Sequence, residues 1–312
     1  MSPDPIDPAA LRGVVPPLVT PVDENGEVDR VSLARLTGFL LDAGVDGLFV
    51  GGSTGEVALL DGPARRTAVE VVAGTAAGQV PVLAGAVDTG TRRVAEQARA
   101  AVRSGAGAVV VTAPFYVEPN DAEIVAHYRY LHAALDVPVV AYDIPSSVGV
   151  RLGPDVVAEL ADAKLVVALK DSSGDLAGFR ETLRRVRPGF PVLTGSELLA
   201  DLSVRLGAAG IVPGLGNVDP HGYVRLYRAA AAGDLDAAAA EQDRLAALFA
   251  IITVADRGRI GFTAGALGAF KAALARRGVI DHPATLPPLL PLSAAETAAI
   301  GAILDDAGLD HA

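Results

Sequence analysis

Eight short apolar runs alternate with helix-length amphipathic stretches across residues 13–232, and this rhythm restricts the fold more than any other feature of the chain. The runs cover 13–21, 47–50, 80–84, 108–112, 137–142, 165–170, 190–194 and 210–213. Runs this short, closed by glycine, proline or polar residues, read as buried strands. Between them apolar residues recur at three- and four-residue spacing, as in Leu33, Leu36, Leu40 and Leu41, or Val94, Ala98, Ala101 and Val102. That spacing predicts helices over 29–43, 63–77, 91–104, 120–135, 154–161, 176–186, 197–206 and 220–232. Three helix-to-strand joints share one pattern: Gly44-Val45-Asp46-Gly47, Gly105-Ala106-Gly107-Ala108 and Gly207-Ala208-Ala209-Gly210. A glycine just past a helix supplies the left-handed residue that ends it.

Apolar strands that alternate with helices form a parallel sheet covered by those helices. Eight such units match a (β/α)8 TIM barrel, typically about 250 residues. An open doubly wound sheet is the alternative, but no G-x-G-x-x-G follows the first run. Beyond the eighth unit, 234–254, 265–277 and 293–307 predict three more helices. The expected organisation is a barrel over 1–232 that carries the catalytic site, and a C-terminal helical domain over 233–312.

The net charge of -11 offers no electrostatic footprint for nucleic acid. There is no cysteine, hence no disulfide, thiolate metal site or cysteine nucleophile. His127, His132, His221, His282 and His311 show no metal-ligand spacing, so neither metal nor cofactor is expected. Met1-Ser2-Pro3-Asp4-Pro5 lacks a basic segment leading into an apolar one, so no signal peptide is expected. The most apolar helical segment, 245–255, is too short for a bilayer that needs about 20 apolar residues. A cytoplasmic location is the expectation.

Lysine occurs only at 164, 170 and 271, and Lys170 closes the apolar run Leu165-Val166-Val167-Ala168-Leu169 before the polar loop Asp171-Ser172-Ser173-Gly174. Barrel chemistry sits on the loops at the C-terminal strand ends. Tyr142 ends the neighbouring run, Ser53 and Thr54 follow the second, and Phe115 and Tyr116 follow the fourth. A desolvated amine is a nucleophile towards ketones, and the iminium it forms withdraws electrons so that a carbon–carbon bond beside it forms or breaks. A tyrosine hydroxyl can relay the protons. The hydroxyls of Ser53 and Thr54, with the N–H groups of a glycine-rich loop, can hold a carboxylate. Taken singly, each residue also fits a plain role: a snorkelling strand-end lysine, a core tyrosine, a tight Gly51-Gly52 turn, loop or cap acids at Glu56, Asp171 and Asp175. Their joint placement points to Schiff-base chemistry.

At these residues the chain resembles the dihydrodipicolinate synthase / N-acetylneuraminate lyase family of pyruvate-dependent Schiff-base aldolases. The resemblance rests on Gly51-Gly52-Ser53-Thr54-Gly55-Glu56, Tyr142-Asp143-Ile144-Pro145 and Leu169-Lys170-Asp171-Ser172-Ser173-Gly174, in that order. Val111-Thr112-Ala113-Pro114-Phe115-Tyr116 and Gly210-Ile211-Val212-Pro213 with Asn217 add to it. It implies a barrel with a C-terminal helical domain, assembled as a homotetramer, a dimer of dimers. It implies catalytic roles for Lys170 (Schiff base), Tyr142 (proton relay), Thr54 (which, or else Ser53, links into that relay) and Tyr116 (reaching into a neighbouring subunit's site). Gly52, Ser53, Thr54 and Ile211 are the implied substrate-binding residues, and pyruvate and an aldehyde the implied substrates.

Two positions depart from the family pattern. True dihydrodipicolinate synthases follow their tyrosine segment with Ser-Arg, whose arginine binds the aldehyde's carboxylate; here Ser146-Ser147 follows, and serine cannot supply a cationic fork. Asp143 replaces the usual asparagine and would add negative charge to the site if it faced inward. The sequence reading is therefore a pyruvate-dependent aldolase or lyase acting through Lys170 on a 2-keto-3-deoxy sugar acid or related hydroxy-keto acid. A dihydrodipicolinate synthase with altered carboxylate recognition, drawing a cation from Arg257 or Arg259, is the second reading. A non-catalytic keto-acid-binding homologue is the third.

Overall fold

The computed structural model describes residues 6–309, so His311 and the first five residues lie outside it. Eight parallel strands alternate with helices in the predicted order. The strands are β1 (Gly13–Val14), β2 (Leu48–Val50), β3 (Val82–Gly85), β4 (Ala108–Thr112), β5 (Val139–Asp143), β6 (Ala168–Asp171), β7 (Val192–Thr194) and β8 (Gly210–Ile211). The helices are α1 (Arg30–Asp42), α2 (Gly62–Ala76), α3 (Thr91–Arg103), α4 (Asp121–Ala134), α5 (Pro145–Val148), α6 (Pro154–Asp162), α7 (Leu176–Arg185), α8 (Ala200–Leu206), α9 (Pro220–Ala232), α10 (Leu235–Phe249), α11 (Phe262–Arg276) and α12 (Ala294–Asp306).

The sheet runs β1-β8-β7-β6-β5-β4-β3-β2, and the first and last members meet to close a (β/α)8 barrel. Prolines 16, 17 and 21 deny β1 the donors of a long ladder, so within 13–21, read as a first strand running into a loop, the strand is two residues long. Closure then uses the groups that remain: Phe49 N–H donates to the Pro16 carbonyl at 3.0 Å and Leu18 N–H to the Phe49 carbonyl at 2.9 Å.

Alternation along each strand sorts the core. Val15, Phe49, Leu83, Val110, Val140, Tyr142, Ala168, Leu193 and Val212 fill the barrel. Their strand neighbours, such as Val109, Val111, Ala141 and Leu169, pack outward under the helices. Gly44, Gly105 and Gly207, the three predicted joints, have φ of 81°, 113° and 115°. Caps account for the helix starts: Asp29, Asp61 and Asn120 each accept a backbone N–H from the first turn. Several short pieces were not legible in the pattern, among them 3-10 turns at Pro8–Ala10 and Leu215–Asn217. The four-residue α5 has no room for a repeat, and the stretch 197–199 is a 3-10 turn before α8.

Behind the barrel, α10 follows α9, and α11 inserts as an almost wholly buried helix, from Ala264 to Leu274 without an exposed residue. No helix among the described residues is long and apolar enough to cross a membrane.

Candidate active site

Lys170 and Tyr142 are register partners on β6 and β5, so both side chains point to the barrel interior at one level. Lys170 is 6% exposed, and its Nζ lies 4.1 Å from the centre of the Tyr142 ring and 4.8 Å from that of Phe49. The Phe49 ring also supports the loop above: a Cβ on Gly52 would fall 2.6 Å from it, so glycine is needed there for close approach.

Lys170 opens on a cavity of about 320 Å³ at the C-terminal mouth of the barrel. Ser53, Thr54, Tyr142, Ser146, Ser147, Ser172 and Thr263 supply hydroxyls to its wall, and Glu197 supplies the acid. Among the described lining residues Lys170 is the one cation. Phe262, Ala266, Leu267 and Phe270 close the far side, so α11 walls the cavity that the barrel strands open.

The predicted residues divide. Lys170, Tyr142, Ser53 and Thr54 come together at the cavity, with Gly52 buried directly behind. Ile211 packs its side chain outward with Val14, Leu40 and Tyr223, and the next residue, Val212, faces the cavity instead. Tyr116 is apart from this cavity: it is 95% exposed, and its backbone holds a left-handed φ of 72°. Asp143 also turns away from the site. Its carboxylate accepts from Arg151 Nε at 2.9 Å and from Leu152 N–H at 3.0 Å, so it adds no charge to the cavity. Burial raises its pKa, with Leu152 and Arg151 opposing. Arg259 is taken up by Glu296 and the Pro291 carbonyl, and Arg257 stacks 5.1 Å from the Phe262 ring; neither lines the cavity.

Two groups escaped the sequence reading. Glu197, read as the start of a helix, lies on the turn after β7 and faces Lys170 across the site. One of its oxygens accepts Leu215 N–H at 2.5 Å. It keeps some exposure to the cavity but is ringed by protein. Burial pushes its carboxyl up to about 7, against the pull of the Leu215 N–H, Lys170 and the Gly214 N–H. The other is Glu56, which does lie in the loop after β2 but does not face solvent: it is 2% exposed and pairs with Lys271 of α11. Asp175 does cap α7 as expected, through Gly178 N–H at 2.9 Å.

A sequence profile of the dihydrodipicolinate synthetase family matches residues 10–307. The chain belongs to that family. It is 36% identical over 303 residues to a DapA-like lyase of Halobacterium salinarum, covering 97% of this chain and 96% of that one. It is 34% identical to the 4-hydroxy-tetrahydrodipicolinate synthase of Methanosphaerula palustris, with 94% and 98% covered. Among solved structures it is similar to YagE, a prophage protein of the dihydrodipicolinic acid synthase family from E. coli, in complex with pyruvate. That match has a TM-score of 0.88 at 28% identity, over 96% of this chain and 99% of that one. The dihydrodipicolinate synthase of Bacteroides thetaiotaomicron superposes with a TM-score of 0.89 at 31% identity, over 95% and 98%. Membership makes this dihydrodipicolinate synthetase family chain an enzyme, a lyase of the Schiff-base aldolase kind. Some relatives are named 4-hydroxy-tetrahydrodipicolinate synthase and others only as lyases of the same kind, and the cavity wall bears on the substrate.

Proposed function

We propose that this lyase joins pyruvate to, or releases it from, a hydroxylated aldehyde, so that its long substrate is a 2-keto-3-deoxy sugar acid or a related hydroxy-keto acid. The observation that carries the reading is the cavity wall: many hydroxyls, one carboxyl and, among the described residues, no cation besides the lysine that does the chemistry. Hydroxyls and a carboxyl pair with the alternating donors and acceptors of a polyol. An aldehyde with a carboxylate of its own, such as aspartate semialdehyde, needs a cationic partner there, and Ser147 stands at the position from which the family's arginine would reach.

In this reading Lys170 Nζ attacks the pyruvate ketone, water leaves, and a protonated imine remains. Loss of a C3 proton gives the enamine, whose carbon attacks the aldehyde. The new alkoxide takes up a proton, and hydrolysis of the imine returns the amine. Tyr142, whose ring covers Lys170, carries the protons, linked through Thr54. Ser53, Thr54 and the loop amides from Gly52 onward hold the pyruvate carboxylate. Glu197 accepts a hydroxyl of the second substrate. In this reading Tyr116 reaches a second copy of the chain, which its exposure and a backbone conformation that costs a non-glycine residue about 1–3 kcal/mol support. A homotetramer is the assembly we propose.

The decisive experiment is intact-mass spectrometry after pyruvate and borohydride. Wild type should gain a reduced pyruvyl group, Lys170→Ala should not, and Tyr142→Phe should label more slowly. An unlabelled wild type, or a labelled Lys170→Ala, overturns the mechanism. Turnover is then compared between 2-keto-3-deoxygluconate and pyruvate plus aspartate semialdehyde. A preference for the semialdehyde overturns the substrate assignment.

A further inference from the structure

The loop that offers Ser53 and Thr54 is fastened from outside the barrel. Glu56, two residues past Thr54, has a left-handed φ of 61°, a conformation unfavourable for a side chain of this kind. Its carboxylate does not face the cavity. It runs back into the protein, lies against the ammonium of Lys271 on α11, and accepts Leu286 N–H at 2.7 Å. Lys271 in turn donates to the Ala284 carbonyl at 2.7 Å. Both side chains of the pair are fully buried. Residues 262–270 of the same α11 wall the cavity, and Phe270 and the Thr54 hydroxyl converge on Gly214, where an added Cβ would come within 3.1 Å of the ring and 3.5 Å of Thr54 Oγ1. The loop is pinned on its other side by Thr20, whose hydroxyl donates to the Gly55 carbonyl at 2.8 Å.

A buried ion pair is a poor source of stability, because removing both charges from water costs about as much as their attraction returns. A pair placed between a substrate-binding loop and the helix that walls the same cavity is better explained by geometry. We propose that Glu56 and Lys271 are positioning residues: together they fix the loop carrying Ser53 and Thr54 relative to Lys170, and so set the affinity for the keto-acid carboxylate. The inference rests on the Schiff-base reading above for its functional half only. Neither residue touches the substrate. The pair acts through Gly55, the one residue of backbone between Glu56 and Thr54.

The test replaces the pair by neutral groups of similar volume, Glu56→Gln with Lys271→Met, which avoids stranding one buried charge. Two quantities are read: hydrogen exchange of the amides at 51–60, and the pyruvate concentration that gives half-maximal borohydride labelling. We expect exchange in the loop to quicken at least about tenfold while the barrel strands keep their protection, and half-saturating pyruvate to rise by about tenfold, more than the limiting labelling rate falls. A folded double variant with unchanged loop exchange, or with unchanged pyruvate dependence, overturns the proposal and leaves the pair a packing feature. If the double variant does not fold, Glu56→Asp keeps the charge and shortens the arm by one methylene. The same two readouts must then move, and their constancy overturns the proposal equally. Wild type that never labels with pyruvate refutes the Schiff-base reading instead, and the loop exchange still decides whether the pair holds the loop.

Discussion

Replacing Glu197 by glutamine keeps the shape of the cavity wall and removes its titration. The acceptor that meets Leu215 N–H at 2.5 Å survives as an amide oxygen, so the turn after β7 stays anchored. What changes is the proton. Burial lifts the folded-state pKa of Glu197 from 4.5 to about 7. An acid raised in this way binds its proton more tightly folded than unfolded. Its contribution is therefore most favourable below pH 4.5, is lost as pH rises from 4.5 to about 7, and is level above that. Integrating the linkage relation with those two values, wild type loses roughly 2.5 kcal/mol relative to Glu197→Gln between pH 5 and pH 8, most of it by pH 7. Urea unfolding of both proteins at pH 5, 6, 7 and 8, at one protein concentration, measures the gap. A gap that grows with pH and levels near neutrality is the expected result. A gap constant to within about 0.5 kcal/mol refutes the reasoning, since Glu197 would then titrate alike folded and unfolded. A gap that closes as pH rises would mean that Lys170 and the two loop N–H groups outweigh burial.

Asp143→Asn restores the family's usual residue, keeps the bond to Leu152 N–H and removes a carboxylate whose pKa burial raises despite Arg151, so in urea unfolding the variant should hold or gain stability relative to wild type as pH rises, and a loss that grows with pH would refute this. Because the carboxylate turns away from the cavity, steady-state kcat and KM should not move, and a change beyond twofold would show that the backbone of β5 had shifted. Tyr116→Ala removes the exposed ring; light scattering after size exclusion should show a smaller assembly, with kcat reduced in proportion to dissociation, whereas an unchanged tetramer with unchanged kcat would remove Tyr116 from the site.

Much of this architecture could be read from periodicity because each barrel unit repeats one physical problem, burying a strand on both faces under a helix. The three glycine joints were visible for the same reason, since a left-handed residue at a helix end has few substitutes. Lys170 and Tyr142 were legible because each ends an apolar run, and parallel register then places them side by side. Glu197 and Glu56 were not, and for opposite reasons. A Glu three residues after a strand looks like any helix start, and only the packing of Leu215 and Gly214 around it shows that it is enclosed. Glu56 looked like a loop acid because its partner is 215 positions away, on a helix whose sequence shows only that it is apolar and contains one lysine. The direction of the Ile211 side chain was not legible, because one residue of strand alternation sends a side chain to the opposite face.

The dependence of the loop on α11 has a consequence for how the enzyme comes into being. The residues from β1 to α9 are synthesised before Lys271, which lies 39 residues beyond the end of α9. At about 5–20 residues per second, that leaves an interval of roughly 2 to 8 s. Through that interval Lys170 is already made, yet Glu56 has no ammonium to meet and the far side of the cavity has no wall. The reactive amine is thus made early and its substrate pocket last, so a chain cut short in translation would carry the lysine without the means to hold a keto acid against it.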